Sequence, residues 1–156
     1  MRGDGAITGL LNEVLTAELT SVNQYFVDSK MLGNWGYELL AKHYYDESID
    51  EMKDADELIG RILFLEGVPN LQRLATVRVG ESVPEKLQLA LDLEYESIAR
   101  LNRGIARCLE LGDNGSRELL EDILEGEEEH ADWLETQLGL VAKLGETHYL
   151  AQNMRN

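Results

Sequence analysis

The chain carries one cysteine and two prolines among its 156 residues. A lone Cys108 excludes a disulfide within the chain and any cysteine-based zinc ribbon. Pro69 and Pro84 fall in one middle stretch, so the long segments on either side hold no helix breaker. No run approaches the ~20 apolar residues of a membrane span. Met1 to Leu11 carries Asp4 and has no long apolar run, unlike a secretory signal, so a cytoplasmic location is expected. Basic residues are scarce: 14 Lys and Arg face 30 Asp and Glu, for a net charge of −16. No basic patch survives that balance, which argues against nucleic acid as a partner. An acidic surface attracts small cations, although solubility alone would also account for it.

What remains is helical patterning. Apolar residues recur at helical spacing in four long segments. The first, about Gly5 to Asn34, has the stripe Ile7, Leu11, Val14, Glu18, Val22, Tyr25. The second, about Gly36 to Leu65, has Leu40, Tyr44, Glu47, Glu51, Asp54, Leu58, Ile62, Leu65. The third begins near Pro84, a residue suited to a first helical turn, and carries Leu87, Leu91, Glu94, Ile98, Leu101, Ile105, Cys108. The fourth runs from near Ser116 to about Gly145 with Leu120, Ile123, Glu127, His130, Leu134, Leu138, Val141. Tight turns are expected at Asn34-Trp35-Gly36 and Gly112-Asp113-Asn114-Gly115. Gly67 to Val83 is long enough to run the length of a bundle. Two helical hairpins joined by one long crossover define an all-α, ferritin-like four-helix bundle, here expected as one domain over 1–156. A short fifth helix is expected after Gly145, using Thr147, Tyr149, Leu150 and Met154.

The halves repeat. Glu51 follows Glu18 by 33 residues, Glu127 follows Glu94 by 33, and an offset of 76 relates the pairs. The same offset maps Leu11 onto Leu87, Leu15 onto Leu91, Val22 onto Ile98, Tyr25 onto Leu101, Leu58 onto Leu134 and Ile62 onto Leu138. A site at the interface of the hairpins should therefore have pseudo-twofold character.

Each stripe places a carboxylate among apolar residues. Burying an ionised carboxylate is costly unless it is paired or metal-bound. Four at one depth, with no Lys or Arg on those stripes, call for a cation. Residues at i+3 share the face, so Asp54 joins Glu51 and His130 joins Glu127. A Glu from two helices with Glu-x-x-His from two others is the general pattern of di-iron and di-manganese bundles. Mixed oxygen and imidazole donors suit iron or manganese better than calcium. Tyr25 and Trp133 adjoin the set; Tyr25, on the first stripe, serves either as aromatic packing or as a hydrogen bond to the site or a one-electron reductant. Asp46 and Asp50 lie off the stripe, as a solvated face or as an aid to iron passage. His43 and His148 receive no role.

These residues resemble the bacterioferritin family over nearly the whole chain. The resemblance rests on Asn23-Gln24-Tyr25-Phe26, Asn34-Trp35-Gly36, Glu47-Ser48-Ile49-Asp50-Glu51-Met52-Lys53, Ile62-Leu63-Phe64-Leu65-Glu66-Gly67, Pro69-Asn70-Leu71 and His130-Ala131-Asp132-Trp133-Leu134-Glu135. Ordinary ferritins share the bundle without this Met52 context, and rubrerythrins would need more cysteines. The resemblance implies iron storage in a hollow shell of 24 subunits. It implies ferroxidase chemistry, with O2 or H2O2 as oxidant, at a di-iron centre of Glu18, Glu51, Glu94, Glu127 and His130. It implies b-type haem across a two-fold interface with Met52 of each chain as axial ligand, and a ferredoxin as electron donor. Met52 lies ~100° around the helix from Glu51, off the carboxylate stripe, and a two-fold axis presents one residue from both chains.

Asp54 stands where the family usually has a second histidine. Four Glu carboxylates balance two Fe(II) ions, so a ligating Asp54 leaves the diferrous centre one charge negative. Without metal, five neighbouring carboxyls should take up protons. Either Asp54 ligates and the kinetics change, or the site is impaired. In the second case the chain would be the haem-carrying subunit of a mixed shell with a paralogous partner, supporting iron release. A di-iron oxidase or manganese catalase acting on a small substrate is a third reading.

Overall fold

The computed structural model describes residues 1–154. It contains four long helices and one short one: α1 (Gly5–Asn34), α2 (Glu38–Phe64), α3 (Val83–Leu111), α4 (Asn114–Leu144) and α5 (Glu146–Ala151). No strand forms among the described residues. The last two residues of the expected 1–156 domain lie outside them. α1 packs on α2 and α3 on α4, and the hairpins meet through α1 with α3 and α2 with α4. This is the ferritin-like four-helix bundle. No described helix is long and apolar enough to cross a membrane.

Local chemistry sets the helix ends. Asp4 caps α1 by accepting from the Ala6 N–H at 2.7 Å. Ser82 caps α3 just ahead of Pro84, accepting from the Glu85 N–H at 3.3 Å. α2 starts two residues later than the sequence suggests. Gly36 adopts φ +94° to turn the chain, and Tyr37 becomes the residue before the helix. α4 starts two residues earlier than Ser116. Asp113 takes the cap and accepts from the Ser116 N–H at 3.0 Å, which leaves only Gly112, left-handed at φ +75°, and Asp113 as the turn. At Gly115 an added Cβ would lie 2.5 Å from the Arg61 guanidinium, which donates to Asp113 Oδ1 at 2.8 Å and ties the end of α2 to the start of α4. Met154 lies beyond α5 and is exposed, while Tyr149 is buried.

The crossover occupies residues 65–82. Irregular backbone needs partners for its polar groups, and α1 supplies them in order along its length. The Asn70 N–H donates to Asn12 Oδ1 at 2.7 Å, Ala75 to Thr20 Oγ1 at 3.0 Å, and Arg78 to Gln24 Oε1 at 2.9 Å. Arg78 also pairs with Glu96 of α3 at 3.0 Å. The connection therefore lies along α1 and reaches α3, as a return to the far end of the bundle requires.

Two apolar clusters fill the interior. One gathers Tyr25, Leu32, Leu40, Tyr44, Leu87, Leu91, Leu134 and Tyr149. The other gathers Ile7, Leu11, Leu15, Leu58, Ile62, Leu101, Leu120 and Ile123. The related pairs Leu11 and Leu87, Leu15 and Leu91, Tyr25 and Leu101, and Leu58 and Leu134 are all buried. The level between the two clusters is polar.

Candidate metal centre

Each long helix delivers one glutamate to that polar level. Glu18, Glu51, Glu94 and Glu127 are buried, the most accessible at 3% exposure. Carboxyl oxygens of Glu18, Glu51, Asp54 and Glu127 all lie within 4.8 Å of one another. Across the level, His130 Nδ1 lies 3.0 Å from Glu94 Oε1 and 3.4 Å from Glu47 Oε2. Tyr25 donates its hydroxyl to the same Glu94 oxygen, and its ring meets His130 edge-on with centroids 5.2 Å apart. The residues singled out from the sequence thus converge, but in two halves. One half is all carboxylate; the other contains the nitrogen donor.

Burial drives the electrostatics. Loss of water raises the Glu18 carboxyl well above its usual value, and repulsion from Glu127 adds to this. Glu51 rises well above its usual value through burial and the fields of Glu18 and Glu127. Glu127 rises through burial and the field of Glu94. Asp54 is pushed up to about 8 by burial, Glu18, Glu57 and Asp50. Glu94 rises to about 7 because burial outweighs its hydrogen bonds from Glu127 and Tyr25. Burial also lowers His130, against the pull of Glu47 and Asp50, and so favours the neutral imidazole that binds metals. The field of Arg100 at Glu18 is weaker than the repulsion from Glu127. Glu18, Glu51 and Glu94 each keep a buried Oε2 with no hydrogen-bond partner. Unpartnered buried oxygens are uncommon. Here three helices aim them at one level, a donor set suited to divalent cations.

Two further residues, Glu47 and His43, join the level. Glu47 lay on the α2 stripe and His43 one turn before it. The spacing 43, 47, 51, 54 follows one helix face, and that was the available signal. In the structure His43, Glu47 and His130 each offer a ligand atom within 4.8 Å of the others. The His43 ring lies flat on Trp133, with centroids 3.5 Å apart and planes 10° apart. Burial and His130 lower His43 to about 4. A cleft of about 540 Å³ between α2 and α4 reaches both halves, with Asp50 and Asp54 on its wall. Asp46 instead pairs with Lys42 at 2.8 Å on the surface, and His148 is exposed on α5.

Met52 points away from the carboxylates and is 49% exposed. It stands in a shallow apolar groove of about 430 Å³ with Leu19, Ile49, Ala55 and Ile59, flanked by Lys53 and Asp56.

Fold and centre together define a ferritin-like protein, and residues 8–144 match the family described as a ferritin-like domain. The chain is 51% identical over 152 residues to a bacterioferritin of Mycobacterium tuberculosis, covering 97% of this chain and 96% of that one. It is 50% identical over 151 residues to a bacterioferritin of Streptomyces coelicolor, covering 97% and 90%. It is 45% identical over 149 residues to one of Brucella melitensis, covering 96% and 92%. The chain belongs to the bacterioferritins.

Proposed function

We propose that this chain stores iron as a ferroxidase subunit of a hollow 24-subunit shell. Fe(II) is the substrate, and Glu18, Glu51, Asp54, Glu94, Glu127 and His130 hold it as a di-iron pair. Two Fe(II) give up one electron each, and with two protons these reduce O2 to H2O2 or H2O2 to two waters. The ferric product is deposited inside the shell. The observation that carries this reading is the convergence of unpartnered buried carboxylate oxygens from separate helices. Tyr25 holds Glu94 in place by donating to it. Neutral His130 adds an imidazole donor, and the two apolar clusters close the level on either side along the bundle.

Haem fits the Met52 groove. A half-exposed thioether among Leu19, Ile49 and Ile59 suits an apolar macrocycle, and Lys53 suits a propionate. Met52 from two copies related by a two-fold axis would hold it, and bound haem would carry single electrons from a ferredoxin toward the stored ferric iron.

The test of the main reading is stopped-flow oxidation of Fe(II) by the purified, assembled protein. A rate no higher than that of the Glu18→Ala, Glu127→Ala double variant would overturn it. Asp54 supports a second reading, in which this chain is the haem-carrying subunit of a mixed shell. The carboxylate half then holds Fe(II) without cycling quickly. Asp54→His should raise turnover several-fold if the surplus negative charge is what slows it. A co-purifying paralogue with histidine at this position would support the mixed shell, and haem-free protein with Met52 intact would count against it. A compact monomer or dimer in light scattering would instead favour an oxidase or manganese catalase acting on a small substrate.

A further inference from the structure

We infer that His43, Glu47 and His130 form a further cation position, sharing His130 with the di-iron set and taking a first-row divalent metal through two imidazoles and one carboxylate. It lies beside the all-carboxylate position of Glu18, Glu51, Asp54 and Glu127. The inference deepens the iron-storage reading and rests on it only for the entry of a divalent cation into the cleft.

Geometry comes first. The three ligand atoms lie within 4.8 Å of one another. Two donors ~2.1 Å from one ion stand ~3–4 Å apart, so the most distant pair must close by at most about 1–2 Å. His43 and Glu47 are one turn apart on α2, and His130 faces them from α4, an arrangement that clasps an ion between helices. Unpartnered atoms come second. His43 Nε2 and His130 Nε2 are both buried without a hydrogen-bond partner, and His130 as a whole is 3% exposed. His43 is also held in plane by its stack on Trp133, which removes rotamer freedom that a metal would otherwise have to restrain. Access comes third. Both histidines and Glu47 line the cleft between α2 and α4, and His43 and Glu47 are more accessible than Glu94.

The donor chemistry separates the two positions. Two imidazoles and a carboxylate favour iron, cobalt, nickel or zinc, whereas four carboxylates favour harder cations such as manganese. His130 is common to this position and to Glu94, at 3.4 Å from Glu47 and 3.0 Å from Glu94. A cation held here is therefore one shared ligand away from the buried carboxylates.

The experiment uses Co(II) on the assembled, metal-free protein. A crystal soaked in cobalt chloride should show an anomalous peak between His43, Glu47 and His130. In solution, a Trp35→Phe background leaves Trp133 as the sole tryptophan, and cobalt at His43 should quench its emission through the stack. His43→Phe keeps the stacked ring and removes the nitrogen; it should weaken the quenching-linked affinity at least tenfold, as should Glu47→Gln. Glu18→Ala should leave that affinity within threefold. Cobalt found only among the carboxylates, or unchanged quenching in His43→Phe, would overturn the inference. Fe(II) oxidation is scored separately. An inert protein with the cobalt peak sinks the ferroxidase reading alone; an active one without the peak sinks this position alone.

Discussion

The bundle buries charge in two places and balances it differently in each. Near one end, Lys86 Nζ lies 2.8 Å from Asp28 Oδ1, with both side chains essentially inaccessible. Lys86 also lies 3.3 Å from Met31 Sδ and 5.2 Å from the Trp35 ring centroid. That pair is closed within the chain, one cation to one anion. At the carboxylate level Glu18, Glu51, Asp54, Glu94 and Glu127 converge, and the nearest nitrogen base is a histidine that burial keeps neutral. Protons or an external cation must supply the balance there. A buried charge with its partner in the sequence is a structural device, while buried charges of one sign are a binding site waiting for the opposite sign.

The largest effect that would break this contrast is at the closed pair. Lys86→Met leaves Asp28 buried and unpaired and should cost about 3–5 kcal/mol. The loss, read by urea denaturation, should be the same with and without saturating Mn(II). A loss that metal rescues would mean the two regions are not independent.

Next comes the pH dependence of the metal-free protein. Carboxyls whose values are raised by folding hold protons that the unfolded chain has released. Their contribution to stability is therefore full at low pH. It declines as pH rises from the ordinary carboxyl range through about 7 for Glu94 and about 8 for Asp54. Melting temperature should fall by roughly 5 °C or more between pH 5 and pH 8, and Mn(II) should abolish the fall. Glu51→Gln removes one repelling charge, so it should flatten the metal-free slope while weakening the stabilisation by metal. A flat profile in the parent protein would show that the level is already compensated.

The smallest effect concerns the nitrogen-bearing half. Tyr25→Phe removes the hydroxyl donor on Glu94 and should cost about 1 kcal/mol. It should also push the Glu94 carboxyl further up, seen as a protonated carboxyl stretch persisting to higher pH in infrared difference spectra. An unchanged band would mean that the hydrogen bond does not hold Glu94 down.

Much of the fold was legible because helical periodicity is local. The stripes predicted Ile7, Leu11, Glu18 and Tyr25 on one face, and all four are buried. Helix ends were less legible where two capping residues compete. Asp113 outdoes Ser116 because its carboxylate accepts from the Ser116 N–H and hydroxyl and also pairs with Arg61, and Arg61 is distant in sequence. The Lys86–Asp28 pair spans 58 residues and left no local trace. Glu47 and His43 were visible as a helical face, but nothing local distinguished them from a solvated edge.

The sequence by itself determined the four helices, the repeat that relates the hairpins, and a glutamate on each buried stripe. These follow from spacing along single helices and from the cost of burying carboxylates. Only the tertiary structure decided how the donors divide. It set Glu18, Glu51, Asp54 and Glu127 together, placed His130 between Glu94 and Glu47, and brought His43 against Trp133. The physical reason is that distances between side chains on different helices depend on how the helices pack, and no spacing within one helix specifies that.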